Sequence, residues 1–447
     1  MQGATRRRLA PALAGLVFFA IMASLYLSHS LGVYYWIIRF WGVRPFPTPF
    51  DDTDTVMSAL RCLRQGVDVL VTNPCDPERR LFDYSPLWLS LAVLPVTLAW
   101  LNWAGLLVDF SFFAALLMLP AGRDRTASWM IAAGVISSAT LFAVERGNND
   151  LVLFTLAALA AALLLRLSWA RYAGYALLLL AGLLKYYPMA AMGVALTERL
   201  PRFLAVAAIS ILFTAIFIVG SWHDLSRALV IIPIFSPFSD SFGSIDVGLW
   251  VTEVLHVSRR WAAVARWPMT GVSLWFAVRL ANRRDTHAAL AWLSPGERSF
   301  LIVGSLYIIG CFFTAQNIGY RAVHLLLVLP SLTALRRGEA SPRLHRAAVV
   351  ALVLLWEIFW RSQVGSIGRL AAGDLGQTIC LIVSLLVREW LWWWLVTQLL
   401  AIVIAFALRS PAFMDLRHML AGGPFWSGAP ARSGPGGVDA VEPRNLR

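Results

Sequence analysis

The sequence predicts an all-α, polytopic integral membrane protein of about twelve transmembrane helices, with one long extracytoplasmic first loop. Three observations predict it. Of the 447 residues 59% are hydrophobic and 14% charged, with a mean hydropathy of +0.67, more apolar surface than a soluble interior absorbs. The apolar runs approach the roughly 20 residues that cross hydrocarbon. Lys and Arg, which give a formal net charge of +13, gather in short connections such as 197–202, 282–285 and 336–338, the positive-inside pattern. No basic helix or aromatic-interleaved basic patch occurs in a soluble segment, so nucleic acid is excluded as a partner. Residues 1–420 read as one membrane domain, with 30–85 as its first loop. Residues 421–447, rich in Gly, Pro and Arg, read as a disordered cytoplasmic tail. No internal repeat is evident.

In chain order, Arg6, Arg7 and Arg8 precede an apolar run over 9–29 without a small-residue cleavage site, which reads as a retained signal-anchor with its start in the cytoplasm. Tyr34, Tyr35, Trp36 and Trp41 suit an interfacial belt, and Pro45, Pro47 and Pro49 force an extended approach to the next segment. Residues 52–65 read as an amphipathic helix on the membrane surface, with Val56, Ala59, Leu60 and Leu63 near one face. Cys62 and Cys75 share this loop, and a bridge or two free thiols are both open.

Residues 86–197 thread in two ways. Either 86–101 and 104–120 are separate spans and 171–197 is one long span, or 86–120 crosses once with a re-entrant part and 171–197 breaks near Lys185 and Pro188. The second keeps Arg123, Arg125, Arg166 and Arg171 cytoplasmic and is preferred on the charge rule. Apolar runs at 203–220, 262–280, 299–315, 322–335, 346–360 and 377–408 then place 221–260, 316–321 and 361–374 outside.

Asp51, Asp52 and Asp54 stand directly after the first span. A carboxylate there is a candidate general base. The Asp52/Asp54 spacing also admits a shared divalent cation, and an acidic helix cap explains at least one of them. Lys185 interrupts an apolar run, where a buried ammonium is costly unless it snorkels or meets an anion such as a lipid phosphate. Arg321 and His324 lie at i and i+3 and project to one face, as a phosphate clamp would. Asn148, Asn149 and Asp150 open a helix; capping explains one, and their amides also suit sugar hydroxyls. Tyr84 reads as an interfacial anchor or a sugar contact. In the loop at 221–260, His223, Asp224, Asp240, Asp246 and Glu253 have no specific spacing.

The order of these pieces resembles the GT-C superfamily, and most nearly glycosyltransferase family 87, the polyprenyl-phosphate-mannose-dependent mannosyltransferases. The similarity covers about residues 10–335. It rests on Asp54 to Gly66 followed by Phe82-Asp83-Tyr84-Ser85-Pro86, on Gly147-Asn148 opening a Leu/Ala-rich helix, on Leu184-Lys185 followed by Pro188, and on Tyr320-Arg321 followed by Leu329-Pro330. The resemblance implies an inverting transfer of a sugar from a polyprenyl-phosphate donor to a lipid-linked or cell-envelope glycan acceptor at the outer face of the inner (plasma) membrane. A first-loop aspartate, Asp54 or Asp52, would be the base. Asp51, Tyr84, Asn148, Asn149, Asp150, Lys185, Tyr320, Arg321 and His324 would bind substrate. No resident cofactor is implied, a divalent cation being an option. The rival readings are a transporter or flippase of a lipid-linked saccharide, which needs no base, and an assembly subunit whose acidic loop tolerates substitution.

Overall fold

A computed structural model of the chain describes residues 2–46, 49–166, 169–335 and 342–421. Pro47, the basic connection at 336–338 and the tail from 422 lie outside them. The protein is helical almost throughout. In order the helices are α1 Gln2–Leu27, α2 Leu31–Phe40, α3 Asp51–Arg64, α4 Leu101–Leu116, α5 Arg125–Val135, α6 Ser138–Glu145, α7 Asn149–Leu163, α8 Ala170–Lys185, α9 Leu200–Gly220, α10 Trp222–Ile231, α11 Asp246–Val254, α12 Arg260–Ala281, α13 Arg284–Trp292, α14 Pro295–Thr314, α15 Leu325–Ala334, α16 Pro342–Leu355, α17 Glu357–Leu408 and α18 Pro411–Leu420. Two two-residue strands, β1 Ser241–Phe242 and β2 Asn317–Ile318, pair antiparallel with Ser241 opposite Ile318.

Among the described residues five helices are long and apolar enough to cross a membrane: Leu9–Leu27 of α1, Leu98–Leu116, α9, α14 and α17. A sixth is added if α5 and α6, bent by 41°, form one span. The remaining apolar runs are divided into shorter pieces, because turns and 3-10 segments interrupt them. Residues 86–100 form the 3-10 segments Pro86–Val93 and Leu98–Trp100. The helical run over 171–197 stops at Lys185, turns at Tyr186 (φ 59°, ψ −54°), and continues as the 3-10 segment Tyr187–Thr197. The break near Lys185 that the second threading requires is therefore present.

Residues 361–374, expected to form an outer loop, are helical instead. α17 is two arms joined at Ala372 and Gly373, which leave helical geometry. A Cβ on Gly376 would lie 2.2 Å from the Gly368 carbonyl oxygen, so the arms close on each other through glycines.

The core is centred on α7, α14, α15 and α16, whose apolar residues form one large buried cluster. α14 starts cleanly because Ser294 and Glu297 form a reciprocal capping box, and the same Glu297 pairs with Arg123 at 2.5 Å. α9 stands at the periphery: its apolar window is only 6% buried against 72% for α14, so its side chains need an apolar surrounding.

The first loop folds as a small unit of its own. Val56, Met57, Ala59, Leu60 and Cys62 pack with Val69, Leu70, Phe82 and Val96 in a second cluster, and Cys62 is disulfide-bonded to Cys75. α3 is therefore not a surface-lying amphipathic helix. Every residue from Asp51 to Leu60 is buried, because the loop wraps the face that was expected to meet lipid headgroups.

Candidate functional site

The site begins where the start of α3 meets the end of α6. The first-turn N–H groups of a helix and the last carbonyls of another have no partners within their own helices. Here they supply one another: the Phe50 N–H donates to the Glu145 carbonyl at 2.9 Å and the Asp52 N–H to that of Arg146 at 3.1 Å. The Thr53 hydroxyl adds a bond to the Gly147 carbonyl at 2.6 Å. Two uncommon backbone conformations hold this junction. Phe50 has φ 63° and Gly147 φ 53°, and a Cβ at Gly147 would lie 2.6 Å from the Thr53 hydroxyl oxygen. Non-glycine residues in this region cost about 1–3 kcal/mol and persist where the surroundings enforce them. Tyr186, directly after Lys185, is another such residue.

The three aspartates separate at this junction. Asp52 receives Arg146 through both carboxylate oxygens, Nε to Oδ2 at 2.7 Å and Nη2 to Oδ1 at 2.5 Å, and the Asn148 amide also donates to Oδ2. Asp51 is held by Arg80 at 2.5 and 3.0 Å and by Arg146 at 2.9 Å. Arg80 also pairs with Asp76 at 3.0 Å. The Arg146 guanidinium is stacked on Phe46, 4.0 Å from the ring centre. Asp54 lies on the opposite side of α3, since residues two apart on a helix diverge by about 200°. Its Oδ1 is buried without a hydrogen-bond donor among the described residues, and Arg61 stands 3.9 Å away. Asp52 and Asp54 thus do not converge on a common point, and the spacing argument for a cation shared between them fails for that reason.

Their electrostatics differ accordingly. Burial alone would raise the Asp52 carboxyl, but the Arg146 guanidinium and the Asn148 amide outweigh it and hold the group below the usual carboxylate range. Burial raises Asp54, with Arg61 offsetting only part. A folded-state carboxyl above its unfolded value weakens the fold once it ionises, and no longer does so when both states are protonated. Asp54→Asn is therefore expected to raise the thermal midpoint at neutral pH and above, the gain shrinking as pH falls through the ordinary carboxylate range. A midpoint at neutral pH unchanged or lowered by the substitution would show that Asp54 is paired in the folded protein.

A second centre forms around Asp150, which is fully buried. Asn148 caps α7, its Oδ1 accepting from the Asp150 N–H at 2.8 Å, while its amide reaches Asp52; one residue serves as both cap and link. The Asp150 carboxylate accepts from Lys185 Nζ at 2.6 Å and from the Tyr187 hydroxyl at 2.5 Å. Arg321 Nε lies 3.4 Å from Oδ2 at ion-pair distance. His324 Nε2 stands 2.6 Å from the Tyr187 oxygen. With the hydroxyl proton directed at Asp150, the Nε2–H tautomer completes a His324 to Tyr187 to Asp150 relay. Arg321 and His324 share a face because Gly319–His324 is a 3-10 turn, in which residues three apart eclipse. Arg321 is further held by Asn317 Oδ1 at 2.6 Å.

Tyr84 and Tyr320 join the two centres. Lys185 Nζ lies 5.5 Å from the Tyr84 ring centre and 5.9 Å from that of Tyr320. Asp52 is within electrostatic reach of Lys185 and of both tyrosines. Of the residues singled out in the sequence, Asp52, Tyr84, Asn148, Asp150, Lys185, Tyr320, Arg321 and His324 come together. Asp51 forms the outer edge through Arg80, and Asp54 faces away. Asn149 is buried beside the cap with its amide nitrogen unpartnered among the described residues. Lys185 and Arg321, expected to meet an anion from outside, already share the protein's own Asp150.

Four participants were missed: Arg146, Arg80, Tyr187 and Asp83. Asp83 lies within electrostatic reach of Lys185, Arg321 and Asp52; burial raises its carboxyl, opposed by its own backbone N–H and then by the two cations. Arg146 had a legible signal, a full charge inside Glu145-Arg146-Gly147-Asn148 at the end of an apolar run. Of the outlying loop candidates, Asp240 pairs with Arg361, and Asp246 lies 3.5 Å from Arg388, far along the chain from this cluster.

The fold and site together define a helical protein with, among the described residues, five membrane-length apolar helices and a buried carboxylate–cation cluster that joins the first loop to Asp150, Lys185 and Arg321. Comparison with known protein families, with curated proteins and with solved structures returns no match.

Proposed function

We propose that the chain is a GT-C-like membrane glycosyltransferase of the inner membrane, with about twelve crossings and its site on the extracytoplasmic face. It transfers a hexose or pentose from a polyprenyl-phosphate donor to a lipid-linked or cell-envelope glycan, with inversion. The observation that carries this reading is that Asp52 lies within electrostatic reach of Lys185, Tyr84 and Tyr320, with Lys185 Nζ 5.5 and 5.9 Å from the two ring centres. A base and a cationic leaving-group site near one another are what the transfer requires. The Cys62–Cys75 bridge supports an oxidising side for the loop.

In this mechanism the acceptor oxygen attacks the anomeric carbon from the face opposite the phosphate. The anomeric C–O bond breaks, and its electron pair leaves with the polyprenyl phosphate toward Lys185 and Arg321. The hydroxyl proton passes to Asp52 Oδ1, which accepts one protein donor where Oδ2 accepts two. Arg146 keeps this carboxylate ionised and oriented. The polyprenyl chain has an apolar groove of about 500 Å³ at hand between Tyr187–Thr197 and α9, lined by Met189, Met192, Phe203, Val206 and Ile211. One wall of that groove, Tyr187–Thr197, follows in the chain directly from the turn after Lys185.

The test uses purified protein in lipid nanodiscs with polyprenyl-phosphate mannose, glucose and a pentose donor, each radiolabelled in the sugar. Transfer to a membrane glycan fraction, or slow donor hydrolysis releasing the free sugar, is the expected result. A donor that binds but stays intact in the presence of that fraction overturns the enzyme reading in favour of a transporter.

A further inference from the structure

A larger cavity, about 690 Å³, lies on the other side of the α3 start, between α1, α4 and α6. Its walls are apolar, with Leu16 and Ala23 from α1 and Trp103 and Leu107 from α4. Phe50 is its boundary with the Asp52 centre, the ring seated against Gly105 and Gly147. Two acids, Asp109 of α4 and Glu145 of α6, line the cavity, and both are more than nine-tenths buried. Asp109 Oδ1 and Glu145 Oε2 have no hydrogen-bond partner among the described residues. Glu145 Oε1 receives only a long bond from the Phe46 N–H, 3.4 Å. Arg146, the adjacent residue, directs its guanidinium to Asp51 and Asp52 instead.

Two ionised carboxyl groups facing a largely apolar void, Asp109 within the membrane-length Leu98–Leu116 and Glu145 at the end of α6, are expensive unless something in the void answers them. We propose that this cavity is a separate binding site for an ammonium-bearing amphiphile, its hydrocarbon chain between α1 and α4 and its amine between Asp109 and Glu145. An ammonium supplies both the missing charge and up to three donors. A hydroxyl supplies one donor and no charge, and a carboxylate head is repelled. The site lies beside the Asp52 centre, with Arg146 within electrostatic reach of Glu145, but none of that guanidinium's recorded hydrogen bonds goes to Glu145; they go to Asp51 and Asp52.

The test is photolabelling of the intact protein in nanodiscs with a dodecylamine carrying a diazirine at the chain end, followed by peptide mapping. Labels are expected on α1 and α4, competed by dodecylamine but not by dodecanol or dodecanoate. The double variant Asp109→Asn with Glu145→Gln should bind the amine about tenfold to a hundredfold more weakly, the range for losing a hydrogen bond to a charged group. Ala23→Phe, which fills the cavity from its exposed wall, should remove the labels while leaving both acids in place. Competition by dodecanol equal to that by the amine, labels confined to other helices, or undiminished labelling of the double variant would each overturn the assignment.

Discussion

Asp52→Asn is expected to slow sugar transfer by about 10²–10⁴-fold, the usual contribution of a positioned general base. The protein should still insert and fold, since Arg146 keeps Asp51 at 2.9 Å and asparagine retains an oxygen for the guanidinium. Asp54→Asn should keep most of the rate, because Asp54 projects to the far side of α3 toward Arg61. The pair of measurements distinguishes a base from a general need for acidity in the loop. Equal loss in both variants, or wild-type turnover in Asp52→Asn, would remove Asp52 from the chemistry.

The largest structural effect is expected at Asp150. Its carboxylate is the partner of Lys185 and Arg321 and the acceptor of the Tyr187 hydroxyl. Asp150→Ala leaves two buried cations unanswered and is expected to destabilise the fold by about 3–5 kcal/mol, the cost of breaking a buried pair from one side. Thermal or denaturant unfolding in detergent measures it. Adding Lys185→Met to Asp150→Ala should recover part of the loss, since the ammonium most in need of Asp150 is then gone. If the double variant is less stable than Asp150→Ala, the pairing seen at 2.6 Å is not what holds these segments together. On the proposed reading, Asp150 would also compete with a departing phosphate for Lys185 and Arg321 and so favour its release.

Several features of the site were legible before the fold. The acidic start of α3, the ammonium in an apolar run and the Arg321/His324 pair each break a local pattern, and a break in an apolar pattern is visible in one dimension. Asn148 was legible as a cap because capping is a short-range bond, here to the Asp150 N–H two residues on. Its second role, donating to Asp52, joins residues 96 apart, and no local pattern encodes that. The amphipathic reading of α3 failed for a related reason. Its apolar face was real, but what covered it was the rest of the loop, with Val69, Leu70 and Phe82, rather than lipid. The loop expected at 361–374 followed from the gap between the apolar runs 346–360 and 377–408; helix fills that gap, and Gly365, Gly368 and Gly376 let the two arms of α17 pack closely.

Helicity and a wealth of membrane-length apolar segments were readable from the chain's residues alone, because transfer from water is a property of each segment and adds up residue by residue. So was which charged groups stand out against that background. Which of these groups meet came from the folded arrangement: Asp52 takes Arg146, Asp150 takes Lys185 and Arg321, and Asp54 takes neither set. A buried charge is stabilised by whatever lies within a few ångströms of it, and here those partners come from segments about 30 to 170 residues away in the chain.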